Sequence, residues 1–153
     1  MSTLRVSPRK ASLCPVWHVA VELTERDSVK VRNAVVEVAG LCYGNYDGVC
    51  FETAAGIQYF RPLSGSQGGE QAETVGLPVR VLTFSIPRDE ELLSKVIDAI
   101  VDVHSYEEPV IHISEAMATR AATEAGKDNP NRWWNRGFAH YTELGRPGDR
   151  EKP

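Results

Sequence analysis

From Trp17 to Leu23 apolar and polar residues alternate. Trp17, Val19, Val21 and Leu23 fall on one side, and His18, Ala20 and Glu22 on the other, which predicts a half-buried strand. The period then changes. Val31, Ala34, Val35 and Val38 recur at helical spacing, with Asp27 or Ser28 as the cap at the start and Gly40 at the end. Two short apolar runs, GNYDGVCFET and GIQYFRPL, flank Ala54, Ala55 and Gly56. They read as a hairpin with Gly56 available for positive φ. The stretch SGSQGGEQAETVGLP has four glycines and no period, and it reads as a surface loop that a ligand can order. Leu82, Phe84 and Ile86 alternate in a further strand. Leu93, Val96, Ile97 and Ile100 then form the stripe of a second helix, whose first turn carries Asp89, Glu90 and Glu91 to favour the helix dipole. The turn HSYEEP leads into a last strand, PVIHI.

The order strand, helix, strands, strand, helix, strand defines an α+β protein. Two helices over an antiparallel sheet bury their stripes on one face, which gives a ferredoxin-like sandwich. The other face carries His18, Ala20, Thr83 and His112, a mixed set that is either solvated or covered by another copy of the chain. The expected organisation is a flexible tail over residues 1–14, the sandwich over 15–114, and a C-terminal helix and arm over 115–153. The helix is assigned to the alanine-rich EAMATRAATEAG, and the arm carries Trp133 and Trp134, two rings with too much apolar area to leave undocked.

Composition narrows the function classes. Seventeen basic and 21 acidic residues give a net charge of −4, with no basic stripe to hold nucleic acid. No apolar run is long enough to span a bilayer, and the first residues lack the apolar core of a signal peptide. Cys14, Cys42 and Cys50 form no C-x-x-C pair and read as free thiols in a reducing, cytoplasmic setting.

Several residues invite a chemical reading. His104 and His112 are of metal-ligand type, and Glu107 and Glu108 stand beside His104. Each also has a structural use: a donor at a helix end for His104, an acceptor for the glutamates, an extended lead-in for Pro109. Tyr46 and Asp47 in GNYDG, Arg61 beside Pro62, and Tyr106 are candidates for ligand contact, with turn building or a salt bridge as their plainer uses. No serine stands in a nucleophile elbow, the glycine loop lacks a phosphate-binding lysine, and no catalytic residue is assigned.

These residues also carry a resemblance. Ala39, Gly40, Gly44, Asn45, Tyr46 and Asp47, then Phe60, Arg61 and Pro62, then His104, Tyr106, Glu107, Glu108 and Pro109, stand as they do in the PII-like, CutA-like domain inserted within the NIF-three family of metal-binding proteins, with Ser105 in place of a proline. The resemblance covers Val16 to Ile113. It implies a ferredoxin-like domain of the kind that forms trimers in PII and CutA proteins, with binding clefts between subunits. The metal-binding domains on either side of the insert have no counterpart here. The segment AHYTELG is similar to that family's C-terminal metal motif, but His140 and Glu143 are one residue too close, so it is read as coincidence. The resulting expectation is a non-catalytic, oligomeric binding or regulatory module, with small-ligand or divalent-metal sites at subunit interfaces. The alternatives are a metal-dependent hydrolase using His104, Glu107 and Glu108, and a structural protein whose RWW arm docks another chain. In a ferredoxin-like fold the two helices run antiparallel, so GNYDG and HSYEEP, each following a helix C-terminus, lie at opposite ends of the sheet and are not expected to form one site within a subunit.

Overall fold

The computed structural model describes residues 4–122, 124 and 126–135. The described residues divide into a large unit, Leu13–Arg120, and a small one drawn from 4–12 and 121–135. The elements are β1 (Ala11–Leu23), α1 (Glu25–Ala39), β2 (Phe51–Glu52), β3 (Gly56–Phe60), β4 (Val75–Pro87), α2 (Glu90–Val103) and β5 (Ile111–Ala121). The sheet order is β2-β4-β1-β5, with β3 also on β4. This is the ferredoxin-like α+β sandwich expected from the pattern.

Why the core sits where it does follows from register. β1 and β4 are antiparallel, with Trp17 opposite Ile86, Val19 opposite Phe84 and Val21 opposite Leu82. In an antiparallel pair directly opposed residues share a face, so these six point together toward the helices. Val31 and Val35 of α1 and Val96 and Ile100 of α2 meet them with no exposed surface. α1 starts one turn earlier than expected. Thr24 is its N-cap and Asp27 stands at the third helical position, while Gly40 ends it at φ 68° with its N–H on the Val36 carbonyl. Asp89 caps α2 by accepting from the Leu92 N–H at 3.0 Å.

β2 and β3 are not a hairpin. Both pair antiparallel with the same edge of β4, Phe51 opposite Thr83 and Gly56 opposite Val79. Thr53 N–H still reaches the Val81 carbonyl at 3.0 Å, so Ala54 and Ala55 together oppose Arg80. Two residues against one make a bulge, and Gly56 is not among the residues at positive φ. Beyond Arg80, β4 no longer pairs with β1, and β3–β4 continues as a two-stranded ribbon. That is where the expected loop gives way to strand, from Val75. Pro78 is tolerated there because β4 has a partner on one side only.

The alanine-rich segment is strand, not helix, as far as Ala121. Glu22 N–H reaches the Val110 carbonyl and Cys14 Sγ the Ala118 carbonyl, so β5 runs antiparallel to β1 through residues 110–118. Pairing of this length overrides the helical preference of Ala116, Met117 and Ala118. Residues 11–14, expected in the tail, are the start of β1. In the small unit, Ala122 N–H bonds the Lys10 carbonyl at 2.9 Å, and Asn135 Nδ2 bonds the carbonyls of Gly126, Lys127 and Asn129 beside a 3-10 turn at Trp133–Asn135. His140 and Glu143 lie outside the described residues. Among the described residues no helix is long and apolar enough to cross a membrane.

Candidate functional site

The turn after α2 is organised around a buried carboxylate. Asp27 is 0% exposed. Its Oδ2 accepts from Ser105 Oγ at 2.5 Å and from Ser105 N–H at 3.3 Å, and Thr24 Oγ1 stands 3.5 Å away. Lys30 Nζ forms an ion pair with Oδ1 at 2.9 Å. Burial pushes the Asp27 carboxyl up. The Lys30 ammonium and the Ser105 hydroxyl and N–H outweigh it and hold the group below its ordinary value.

His104 ends α2, and its ring does not serve that helix end. Nε2 lies 2.8 Å from the Glu22 carbonyl and Nδ1 accepts from Tyr106 N–H at 3.1 Å. A carbonyl accepts and an amide donates, so this pattern belongs to the Nε2–H tautomer. The 3.6 Å approach of Nδ1 to Asp27 Oδ2 is then a meeting of two acceptors rather than an ion pair. Both nitrogens are taken by backbone, and neither is open to a metal ion. His112 is exposed on the sheet face away from the helices. Register carried along β5 places it across from Ala20. Among the described residues no group of three or more His, Cys, Asp or Glu side chains is placed to hold a metal, so the residues do not fit the divalent ion considered from sequence. Asp27, His104 and Ser105 are adjacent yet do not make a nucleophilic triad, because Ser105 Oγ donates to the aspartate and the imidazole is spent on backbone.

Beside this turn lies an open groove of about 840 Å³. The β3 ribbon supplies Ile57, Gln58, Tyr59 and Phe60. The glycine loop supplies Pro62, Ser66 and Gly68, the turn Ser105 to Glu108, and the sheet Glu22 and Val110. Gly76 makes room for one wall. A Cβ there would stand 3.1 Å from Ile57 Cγ2 and 3.2 Å from Tyr59 Cε1, tighter than ordinary contact. The loop is closed by its own turns, Gln71 N–H on the Pro62 carbonyl and Gly69 N–H on that of Ser66. It is tethered to the turn by Gln67 N–H on Glu107 Oε2 at 3.0 Å. Burial, with Asp27 and Glu22 nearby, pushes the Tyr106 phenol up, and its hydroxyl is enclosed without a hydrogen-bond partner.

The structure therefore brings Tyr106, Glu107 and Glu108 together and leaves other candidates apart. Tyr46 and Asp47 are exposed in a tight turn with Gly44 and Gly48 at positive φ. That turn belongs to the opposite end of β5, where Arg120 stacks on Tyr43 at 3.7 Å. Val110, in the groove, is ten residues away, about 30 Å along a strand. Arg61 is exposed and makes no ion pair with a described residue. Glu22, Tyr59 and Phe60 are groove residues that sequence reading passed over. Glu22 looked like the ordinary polar half of an alternation, and its paired position against Val110 is not visible without the β1–β5 register.

No family model matches the chain, and no curated protein matches it. Solved structures do. A Bacillus cereus protein related to NIF3 is 22% identical, with a TM-score of 0.57 over 72% of this chain and 27% of that one. The chain thus spans 27% of the length of that larger protein. A Thermus thermophilus divalent cation tolerance protein, CutA1, is 17% identical over 65% of this chain and 82% of that one, with a TM-score of 0.46. The nitrogen regulatory PII-like protein CPII of Thiomonas intermedia is 14% identical over 72% and 100%, with a TM-score of 0.43. What the NIF3-related protein and this chain share is the fold.

Proposed function

We propose that the protein is a non-catalytic, cytoplasmic binding or regulatory module. It assembles as a homo-oligomer, a trimer by analogy with the assembly the sequence resemblance implies. It takes a small ligand in the groove between the β3 ribbon and the turn after α2. One observation carries the reading: Glu22 and Val110 line the groove and also belong to the sheet face that no helix among the described residues covers. That face runs on through Ala20, Thr83 and His112 to Phe51, which is 66% exposed. In this reading the mixed face is the one covered by a sister copy rather than by solvent, and the groove opens at the seam. A volume of this size suits a small molecule. The absence of catalysis is supported by the state of the nucleophile candidates. Ser105 Oγ is committed to Asp27, and burial, the largest influence on it, pushes the Cys50 thiol up.

The test is a small-molecule fragment screen by amide and tyrosine NMR, run on the native protein and on Ala20→Glu, which places a charge in the middle of the uncovered face. Hits that shift Tyr59 and Tyr106, and that bind more weakly to the variant, are expected. A screen in which no compound shifts the groove, or in which the variant binds equally well as a monomer, contradicts the reading.

A further inference from the structure

The geometry points to a small organic cation, an amine or guanidinium on an apolar stem, as the ligand of this groove. The inference rests on the groove being a binding site and adds the ligand's chemical class. Glu22, Glu107 and Glu108 line the cavity, and among its lining residues there is no lysine, arginine or histidine. Glu107 is already used, accepting from the Gln67 N–H. The side chains of Glu22 and Glu108 have no partner among the described residues. For Glu108, exposed at the turn, that is ordinary. For Glu22 it is not, because it is half-buried on the sheet. The other half-buried carboxylate among the described residues is paired: Glu52 accepts from the Ser28 hydroxyl and faces Arg80 at 3.8 Å. Glu22 thus offers an uncommitted carboxylate to an incoming cation, and a hydrogen bond between charged partners is stronger than a neutral one.

The walls favour the same class. Tyr59, Phe60 and Tyr106 line the same groove as the carboxylates. Aromatic faces attract cations and bury an apolar stem, while offering nothing to an anion. A phosphate or carboxylate ligand would meet three negative side chains and no positive one. A bare metal ion would find no set of three ligands placed for it.

The experiment uses three probes of one shape, benzylammonium, benzyl alcohol and benzoate, titrated into the full chain and followed through the Tyr59 and Tyr106 signals. The expected result is benzylammonium binding at least tenfold tighter than benzyl alcohol, with no benzoate binding, and weakening as salt is raised. Glu22→Gln is expected to weaken benzylammonium about tenfold and to leave benzyl alcohol unchanged. Glu108→Gln, on an exposed turn where folding is not at stake, acts in the same direction by a smaller factor. If the alcohol or benzoate shifts the groove as strongly as the amine, the cation class is overturned while the groove stands as a site. If no probe shifts the groove, both fall.

Discussion

Ser105 donates twice to one oxygen of Asp27, from its hydroxyl at 2.5 Å and its N–H at 3.3 Å, joining the turn after α2 to the first turn of α1. A proline stands at this place in the family that the sequence resembles, and a proline offers neither donor. The substitution thus supplies the acceptor needs of a carboxylate with no exposed surface. Asp27→Ala is expected to destabilise the fold by about 2–3 kcal/mol, the range for losing hydrogen bonds to a charged group. Ser105→Ala is expected to cost less, because its N–H remains. The double variant should cost clearly less than the sum, as measured by urea unfolding.

The same carboxylate makes stability depend on pH. Its folded value lies below its ordinary 3.8, so its contribution is complete above that value and is lost as pH falls through the folded one. Unfolding midpoints measured from pH 7 down to pH 2 should be level to about pH 4 and then fall, and the fall should be shallower in Asp27→Asn. An equally steep loss in the variant would assign the acid sensitivity to other carboxylates.

Glu107 holds the glycine loop through a single exposed hydrogen bond to Gln67. Glu107→Gln leaves an oxygen acceptor of lower charge, and Glu107→Ala leaves none. Amide hydrogen exchange at Gln67 should quicken several-fold in the alanine variant, with global stability changed by less than about 0.5 kcal/mol, as for surface contacts generally.

Thiol reactivity should follow burial. Cys42 is exposed, whereas burial of Cys50, with Glu52 near, outweighs the opposing influence of Arg32 and pushes its thiol up. Alkylation near pH 8 should label Cys42 first. Prior labelling of Cys50 would contradict the packing described for the strand edge.

Much of this fold was readable from residue order alone, for reasons visible in particular places. β1, β4 and both helices have one covered face each, so Val19, Val21, Val31, Val35 and Ile100 report their own burial through period. The separation of GNYDG from HSYEEP followed from topology. Ala54–Gly56 was misread as a hairpin because a turn and a bulge ask for the same small residues, and only pairing with Val79 and Val81 on β4 distinguishes them. The strand at Glu115–Ala121 was misread because alanine favours helix and the partner lies about a hundred residues away on β1. The backbone contact that occupies the His104 ring, with the Glu22 carbonyl 82 residues distant, is encoded by no local pattern. The groove needed three such long-range pairings at once.

Burial of the uncovered side of the sheet against sister copies is read by light scattering coupled to gel filtration at micromolar concentration. The account predicts a particle that is a whole multiple of the 16.9 kDa chain, threefold for a trimer, and a single folded chain for Ala20→Glu. A native protein that elutes at the mass of one chain would contradict it.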